Sequence, residues 1–164
     1  MGPRLVVQCG LPGVGKSTVA AEIADRLGVE RVRSDAVRAE LFDDPTYSRA
    51  EKDRVYATML ERARASLAEG RAAVLDATYE RKVDRDDAAA LADEVGAELF
   101  LVRVFCEESV ARERIRQRTD DPSEADVEVY ENARERFEPL ERDHVTIDNS
   151  GDLAETRRQL DEHV

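Results

Sequence analysis

Short apolar runs alternate with longer amphipathic stretches along the whole chain. The short runs are typical of buried parallel strands. In the stretches between them, apolar residues recur every three to four positions, as in a helix with one buried face. The predicted strands span residues 5–9, 29–33, 72–76, 99–105 and 145–147. The predicted helices span residues 16–27, 49–69, 83–95, 108–118, 124–137 and 153–163.

Strands that alternate with helices in this way predict an α/β fold: a parallel sheet with right-handed crossovers and helices on both faces, a three-layer sandwich. We expect residues 1–164 to form a single domain. Ligands of such sheets bind at the carboxyl ends of the strands. Three candidate features fall at such ends, namely residues 10–17, Asp35 and Asp76.

The most specific motif lies between the first predicted strand and helix. Residues 10–17 read GLPGVGKS and match G-x-x-x-x-G-K-[ST], the P-loop whose backbone amides hold nucleotide phosphates. We expect Lys16 to reach the β- and γ-phosphates of ATP, and Ser17 to offer its hydroxyl to Mg²⁺. The alternative is a glycine-rich turn that matches by chance, which the flanking strand and helix disfavour. The predicted nucleotide-binding residues are Gly10, Gly13, Val14, Gly15, Lys16, Ser17 and Thr18.

Asp76 closes an apolar strand and fits the Walker B role of holding Mg²⁺ and its waters. A turn aspartate at a strand end is the alternative interpretation. Ala77 and Thr78 follow it, where a mechanical ATPase usually has a glutamate that activates water. Residues 146–149 do not form the guanine-reading N-K-x-D of GTPases. Transfer of phosphate to an acceptor is therefore favoured over hydrolysis.

A second acidic residue follows the second predicted strand. Asp35 can orient an acceptor hydroxyl and take its proton, and Arg38 lies one helical turn later on the same side. The alternative is a short helix capped by Ser34 or Asp35, with Arg38 as a solvated charge. Thr78 and Arg85, which follow the Asp76 strand, are further candidates for the acceptor side.

The helix predicted at residues 108–118 is short and polar. At about 100° per residue, Arg114 and Arg118 share the face of Ala111 and Ile115, whereas Arg112 and Arg116 point away. A helix with so few apolar residues is weakly anchored, which suits a lid over residues 108–137. Its inward arginines would stabilise charge on the transferred phosphate when the lid closes.

Five segments, in this order, resemble the AAA-33-type predicted kinases, relatives of the 5′-hydroxyl polynucleotide kinase domain. They are residues 10–18, 34–38, 75–78, 114–118 and 147–151. Zeta toxins, chloramphenicol phosphotransferase and gluconate kinase are more distant cousins. The resemblance spans nearly the whole chain and implies a P-loop NTPase sheet of order 2-3-1-4-5, with Asp76 beside the P-loop.

The same resemblance implies roles for single residues. Asp35 would be the general base, and Arg38 would contact a phosphate of the acceptor. Arg114 and Arg118 would be the lid arginines, and Asn149 would lie near the adenine. The implied cofactors are ATP and Mg²⁺.

Composition limits the partners. The net charge of −12 disfavours nucleic acid as the acceptor. Lysine occurs only at positions 16, 52 and 82, and an acidic, lysine-poor composition also resembles proteins of salt-adapted cells, so the charge can reflect the solvent. The two cysteines do not predict a disulfide framework or a zinc site. With no membrane-length apolar run and no leader pattern, we expect a cytoplasmic monomer.

Three functions are open at this point. The first is a kinase for the 5′-hydroxyl of RNA or DNA, because Arg38 suits an acceptor that carries a phosphate. The second is a kinase for a hydroxyl of a small metabolite, nucleotide or antibiotic, which the acidic composition favours. The third is a nucleotide-dependent regulatory ATPase, which the residues after Asp76 disfavour.

Overall fold

The computed structural model of this protein describes residues 2–117 and 124–164. The strands are β1 (Arg4–Cys9), β2 (Arg31–Arg33), β3 (Ala73–Asp76), β4 (Glu98–Phe105) and β5 (Val145–Asp148). The helices are α1 (Lys16–Leu27), α2 (Ser34–Leu41), α3 (Arg49–Ala68), α4 (Lys82–Val95), α5 (Glu108–Gln117), α6 (Glu124–Arg136) and α7 (Leu153–His163). None of these helices is long and apolar enough to cross a membrane.

The five strands form one parallel sheet in the order β2-β3-β1-β4-β5, which confirms the predicted P-loop NTPase topology. The register aligns the carboxyl ends of three neighbouring strands. Gln8 of β1 lies opposite Asp76 of β3, and Arg33 of β2 lies opposite the same aspartate from the other side. The P-loop, Asp76 and the start of α2 therefore meet at one edge of the sheet.

Two apolar clusters cover the two faces of the sheet. Alternate residues of β1 point to opposite faces, so that Leu5 and Val7 belong to one cluster and Val6 to the other. The first cluster includes residues of α2, α3 and α4, and the second includes residues of α1, α5, α6 and α7. This arrangement is the predicted three-layer sandwich.

The second strand is shorter than predicted because the first residue of the predicted strand, Val29, belongs to the turn that ends α1. Gly28 has a left-handed backbone with φ 68°, and the amide of Val29 donates to the carbonyl of Ala24 at 3.0 Å. These contacts close the helix in a Schellman-type turn and delay pairing until Arg31. The short helix considered as the alternative at Ser34 does form, as α2.

Candidate active site

The P-loop is held in a conformation that requires glycine at two positions. Gly13 and Gly15 have φ values of 84° and 79°. A Cβ on Gly15 would lie 2.3 Å from Nδ2 of Asn149, and one on Gly13 would lie 2.8 Å from the side chain of Ile115. The loop is therefore packed closely against both α5 and the segment after β5. Val14 is buried, whereas Ser17 and Thr18 are exposed at the start of α1.

The side chain of Asn149 holds the P-loop through a hydrogen bond. Its Nδ2 donates to the carbonyl of Val14 at 2.7 Å, and its Oδ1 accepts from the hydroxyl of Thr156 at 2.6 Å. The side chain is buried, and both its polar groups have partners within the protein. In this structure, the side chain of Asn149 acts on the nucleotide site by holding the loop.

Asp76 lies at the end of β3 and is only 5% exposed. Burial raises the pKa of its carboxyl group, and the positive charges of Lys16 and Arg31 oppose that shift. Its Oδ1 accepts from Nε2 of Gln8 at 3.2 Å, and its Oδ2 accepts from Nη1 of Arg31 at 3.1 Å. Asp76 is thus fixed in position next to the P-loop lysine.

The side chains of Gln8 and Arg31 also bind the first turn of α1. Neither residue was predicted from the sequence to belong to the site. Nε2 of Gln8 donates to the carbonyl of Lys16 at 2.6 Å, and Nη1 of Arg31 donates to the carbonyl of Ser17 at 2.7 Å. Each side chain therefore joins the carboxylate of Asp76 to the helix turn that carries Lys16 and Ser17. A glutamine inside the apolar first strand was a signal for the first contact. The local sequence held no signal for the second.

The donor set at this edge fits Mg²⁺. Within residues 2–117 and 124–164, no group of three His, Cys, Asp or Glu side chains could hold a metal ion by itself. The hydroxyl of Ser17 and the carboxylate of Asp76 would therefore need the phosphates of a nucleotide as further ligands. Mg²⁺ is commonly bound in this way, through one or two carboxylates, substrate phosphates and waters.

Substitution of Arg31 by methionine is expected to weaken the Mg²⁺-dependent part of nucleotide binding by about 10- to 100-fold, the usual effect of losing an outer contact to a metal ligand. Binding of the nucleotide without Mg²⁺ should change little, because the P-loop amides and Lys16 are retained. Titration of a non-hydrolysable ATP analogue with and without Mg²⁺ measures the two binding affinities. Arg33→Met is the matched control, since Arg33 lies on the same strand but pairs with Asp35. Equal Mg²⁺ dependence in Arg31→Met and in the unmodified protein would contradict the assignment.

Asp35 lies in the first turn of α2 with its side chain 68% exposed. Its Oδ1 accepts from the amide of Ala36 at 2.8 Å, and its Oδ2 accepts from Nη2 of Arg33 at 2.8 Å. Its negative charge contributes to raising the pKa of Asp76, so the two carboxylates lie within electrostatic reach of each other. The structure thus presents one exposed carboxylate beside the buried one.

Arg38 is held by a glutamate that sequence reasoning missed. Nε of Arg38 donates to Oε1 of Glu51 at 3.0 Å, and the two side chains are only 12% and 4% exposed. The guanidinium also lies 4.6 Å from the ring centroid of Tyr47. Glu51 follows the helix-capping Ser48 at the spacing of a capping box, which was the available sequence signal.

Thr78 takes part in an ordered turn after β3. Its carbonyl accepts from the amide of Gly10 at 3.1 Å, and its Oγ1 lies 3.3 Å from the hydroxyl of Tyr56. The same hydroxyl accepts from the amide of Tyr79, whose φ of 46° is unusual for a bulky residue. Strained backbone of this kind persists where the surrounding contacts fix it, and it is frequent near functional sites.

The acceptor-side prediction for Arg85 needs correction. Arg85 is 3% exposed, and its Nη2 donates to the carbonyl of Glu138 at 2.8 Å. It shares the inward face of α4 with the buried residues Ala88 and Ala92, at intervals of three and seven positions. The helical periodicity therefore directs Arg85 into the protein, where it packs over Phe137.

The first helix of the predicted lid contacts the P-loop. Nη2 of Arg114 donates to the carbonyl of Gly151 at 3.2 Å, and its Nη1 would lie 3.7 Å from a Cβ on Gly15. Arg112 instead forms surface ion pairs with Glu108 and Glu131. Arg116 is exposed and lies 3.9 Å from Glu113. Arg118, the second predicted lid arginine, lies outside the described residues.

Comparison with known proteins gives a family and a fold. Residues 5–140 match the AAA_33 family, described as an AAA domain. An uncharacterised protein of Mycobacterium tuberculosis (strain ATCC 25618 / H37Rv) is 31% identical in an alignment 138 positions long, which covers 77% of this chain and 28% of that protein. This chain therefore spans well under two thirds of that relative.

Two solved structures share the fold. A gluconokinase from Sinorhizobium meliloti 1021 has a TM-score of 0.75 and 24% identity over 96% of this chain and 89% of the other. The APS kinase CysC of Mycobacterium tuberculosis, in complex with AMPPNP and APS, has a TM-score of 0.70 and 17% identity over 98% and 95%. Together with the P-loop and the sheet order, the family match over residues 5–140 establishes that this chain belongs to the AAA_33 family of P-loop proteins.

Proposed function

We propose that this chain is an ATP- and Mg²⁺-dependent phosphotransferase that moves the γ-phosphate to a hydroxyl group. The observation that carries the proposal is the pair of carboxylates beside the P-loop, one buried and one exposed. Hydrogen bonds from Gln8 and Arg31 hold the carboxylate of Asp76 in place next to Lys16. A carboxylate that binds a metal ion is usually oriented by such hydrogen bonds. Asp35 is open to an acceptor.

In the proposed reaction, the acceptor oxygen forms a bond to the γ-phosphorus while the bond from that phosphorus to the bridging oxygen of ADP breaks. Asp35 orients the hydroxyl and takes its proton onto the carboxylate. The P-loop amides and Lys16 bind the phosphates and stabilise the charge that is transferred. When bound, Mg²⁺ neutralises charge on the phosphate oxygens. Arg114 and Arg118 act as cations of a lid over residues 108–137.

The acceptor that we favour is a polynucleotide 5′-hydroxyl. Arg38 lies one helical turn after Asp35, and its pairing with Glu51 holds the guanidinium in place. A guanidinium that is fixed one helical turn from the proposed base suits an acceptor with a phosphate next to its reactive hydroxyl. The paired charge on Arg38 also supports a second candidate, a small hydroxylated metabolite, because Glu51 reduces the attraction for an anion. The similar structures named for gluconate and APS kinases are consistent with that candidate.

The proposal is tested by transfer from γ-labelled ATP with Mg²⁺ at low and at high KCl. One tube holds a 5′-hydroxyl oligonucleotide and parallel tubes hold nucleosides, sugars and antibiotics. We expect label on the oligonucleotide in a form that is stable to gel purification and removed by phosphatase. The 5′-phosphorylated oligonucleotide of the same sequence is the matched control and should stay unlabelled.

Label on a small molecule alone would retain the phosphotransferase and replace the polynucleotide by a metabolite as the acceptor. Release of inorganic phosphate with no labelled acceptor in any tube would contradict phosphotransfer and favour a regulatory ATPase.

A further inference from the structure

An exposed aromatic side chain stands at the acceptor side with an unusual backbone. Tyr47 is 63% exposed, the most exposed of the large apolar residues in the described chain. Its φ is 57°, in the left-handed region that β-strands and helices do not use and that bulky residues avoid. Such a conformation costs free energy, so other contacts must hold it.

Those contacts come from the carboxylate of Glu51. Its Oε2 accepts from the amide of Thr46 at 2.8 Å and from the hydroxyl of Thr46 at 3.0 Å. Burial alone would raise the pKa of Glu51, but these hydrogen bonds, one from the amide of Tyr47 and the charge of Arg38 lower it below its ordinary value. The two hydrogen bonds from Thr46 fix the backbone directly before Tyr47 and so help to hold its φ.

The same carboxylate fixes Arg38 and thereby the stack between Arg38 and Tyr47. Oε1 of Glu51 accepts from Arg38 at 3.0 Å, and the guanidinium lies 4.6 Å from the centre of the Tyr47 ring. One glutamate therefore holds both a cation and an aromatic ring in a defined arrangement. The ring remains largely open to solvent, although the burial of an aromatic ring is favourable.

We propose that Tyr47 is a specificity-determining residue on which the base of the acceptor's terminal nucleoside stacks. This inference rests on the proposed polynucleotide acceptor. With Arg38 at the phosphate next to the reactive hydroxyl, the exposed Tyr47 ring, whose centre lies 4.6 Å from the guanidinium, is within reach of the base of the same nucleotide. Every base has an aromatic face, so the contact favours a base over its absence without selecting one sequence.

The test uses 5′-hydroxyl oligonucleotides that end either in adenosine or in an abasic sugar, and it measures KM and kcat for each. Tyr47→Asn removes the ring and places a residue that tolerates a positive φ, so the turn is preserved. Tyr47→Phe keeps the ring. A fluorescence measurement, in addition to KM and kcat, uses 2-aminopurine as the terminal base, because stacking on an aromatic side chain quenches its fluorescence.

In the unmodified protein we expect KM to be about 10-fold lower for the adenosine end than for the abasic end. Tyr47→Asn should raise KM for the adenosine end to that of the abasic end, with kcat and the KM for ATP unchanged, and should remove the quenching. Tyr47→Phe should behave like the unmodified protein.

An equal KM for both ends in the unmodified protein, or an equal loss on both ends in Tyr47→Asn, would overturn the role of Tyr47 and leave the polynucleotide kinase proposal standing. Absence of transfer to any oligonucleotide would overturn that proposal, and this inference with it.

Discussion

Replacing Lys16 with alanine is expected to lower kcat/KM for phosphoryl transfer by about 10³-fold or more. Lys16 follows the left-handed Gly15 and begins α1, so its ammonium group extends from the loop that binds the phosphates. The side chain of Gln8 donates both to the carbonyl of Lys16 and to the carboxylate of Asp76, so these two residues lie close together. The substitution therefore removes the cation that faces the transferred charge. Initial rates with γ-labelled ATP measure the loss.

The fold should survive this change, because alanine is the most favourable residue for a helix and α1 remains capped by Gly28. Lys82→Ala is the matched control. Lys82 is half exposed at the start of α4 and pairs with Asp86, so its removal should leave the rate within about twofold. Similar rates in Lys16→Ala and Lys82→Ala would refute phosphoryl transfer at the P-loop.

Local patterns in the sequence were sufficient to predict the architecture. Apolar runs of strand length and helical periodicity depend on neighbouring residues only, so all five strands and six of the seven helices of the described chain were predicted. The errors lie where two local signals compete. Val29 reads as the first residue of a strand, but its amide completes the C-terminal turn of α1. After the second strand, a short helix capped by Ser34 or Asp35 was considered only as an alternative, but both residues form the first turn of α2.

The contacts that hold the site could not be predicted in the same way. Asp76 is joined to Arg31, which is 45 residues away, and to Gln8, which is 68 residues away. Such pairs arise from the order of strands in the sheet, and a single sequence does not carry that information in its spacing. Arg85 was assigned to the acceptor because it follows Asp76 closely, although the helical phase of α4 directs it inward. Sequence proximity to a site is therefore a weaker guide than the face of the helix.

The acidic composition does not make the candidate site itself acidic. Three carboxylates of the candidate site each have a basic partner: Arg31 binds Asp76, Arg33 binds Asp35 and Arg38 binds Glu51. Glu80 is bound by Lys52 and Arg136. The excess negative charge is therefore not concentrated on these carboxylates. The net charge of −12 is thus compatible with an anionic acceptor.

Substitution of Asp35 by asparagine is expected to lower kcat by about 10²- to 10⁴-fold, the usual contribution of a positioned general base. Asparagine keeps the size of the side chain and an oxygen that can accept from the amide of Ala36, so the start of α2 should be preserved. It cannot take the proton of the acceptor hydroxyl. The affinity for ATP should stay within about twofold, because the side chain of Asp35 forms its hydrogen bonds with Arg33 and Ala36 of its own segment.

Asp44→Asn provides the matched control, since Asp44 is also exposed and lies in the loop after α2. Rates of transfer and equilibrium binding of an ATP analogue, measured on both variants, separate the two contributions. A loss of ATP binding in Asp35→Asn would indicate a structural role for the carboxylate. Unchanged turnover would remove Asp35 as the base and leave its contact with Arg33 as its only role. A loss of turnover with ATP binding retained would support a role of the Asp35 carboxylate in the transfer step, because asparagine has neither its negative charge nor its ability to accept the proton.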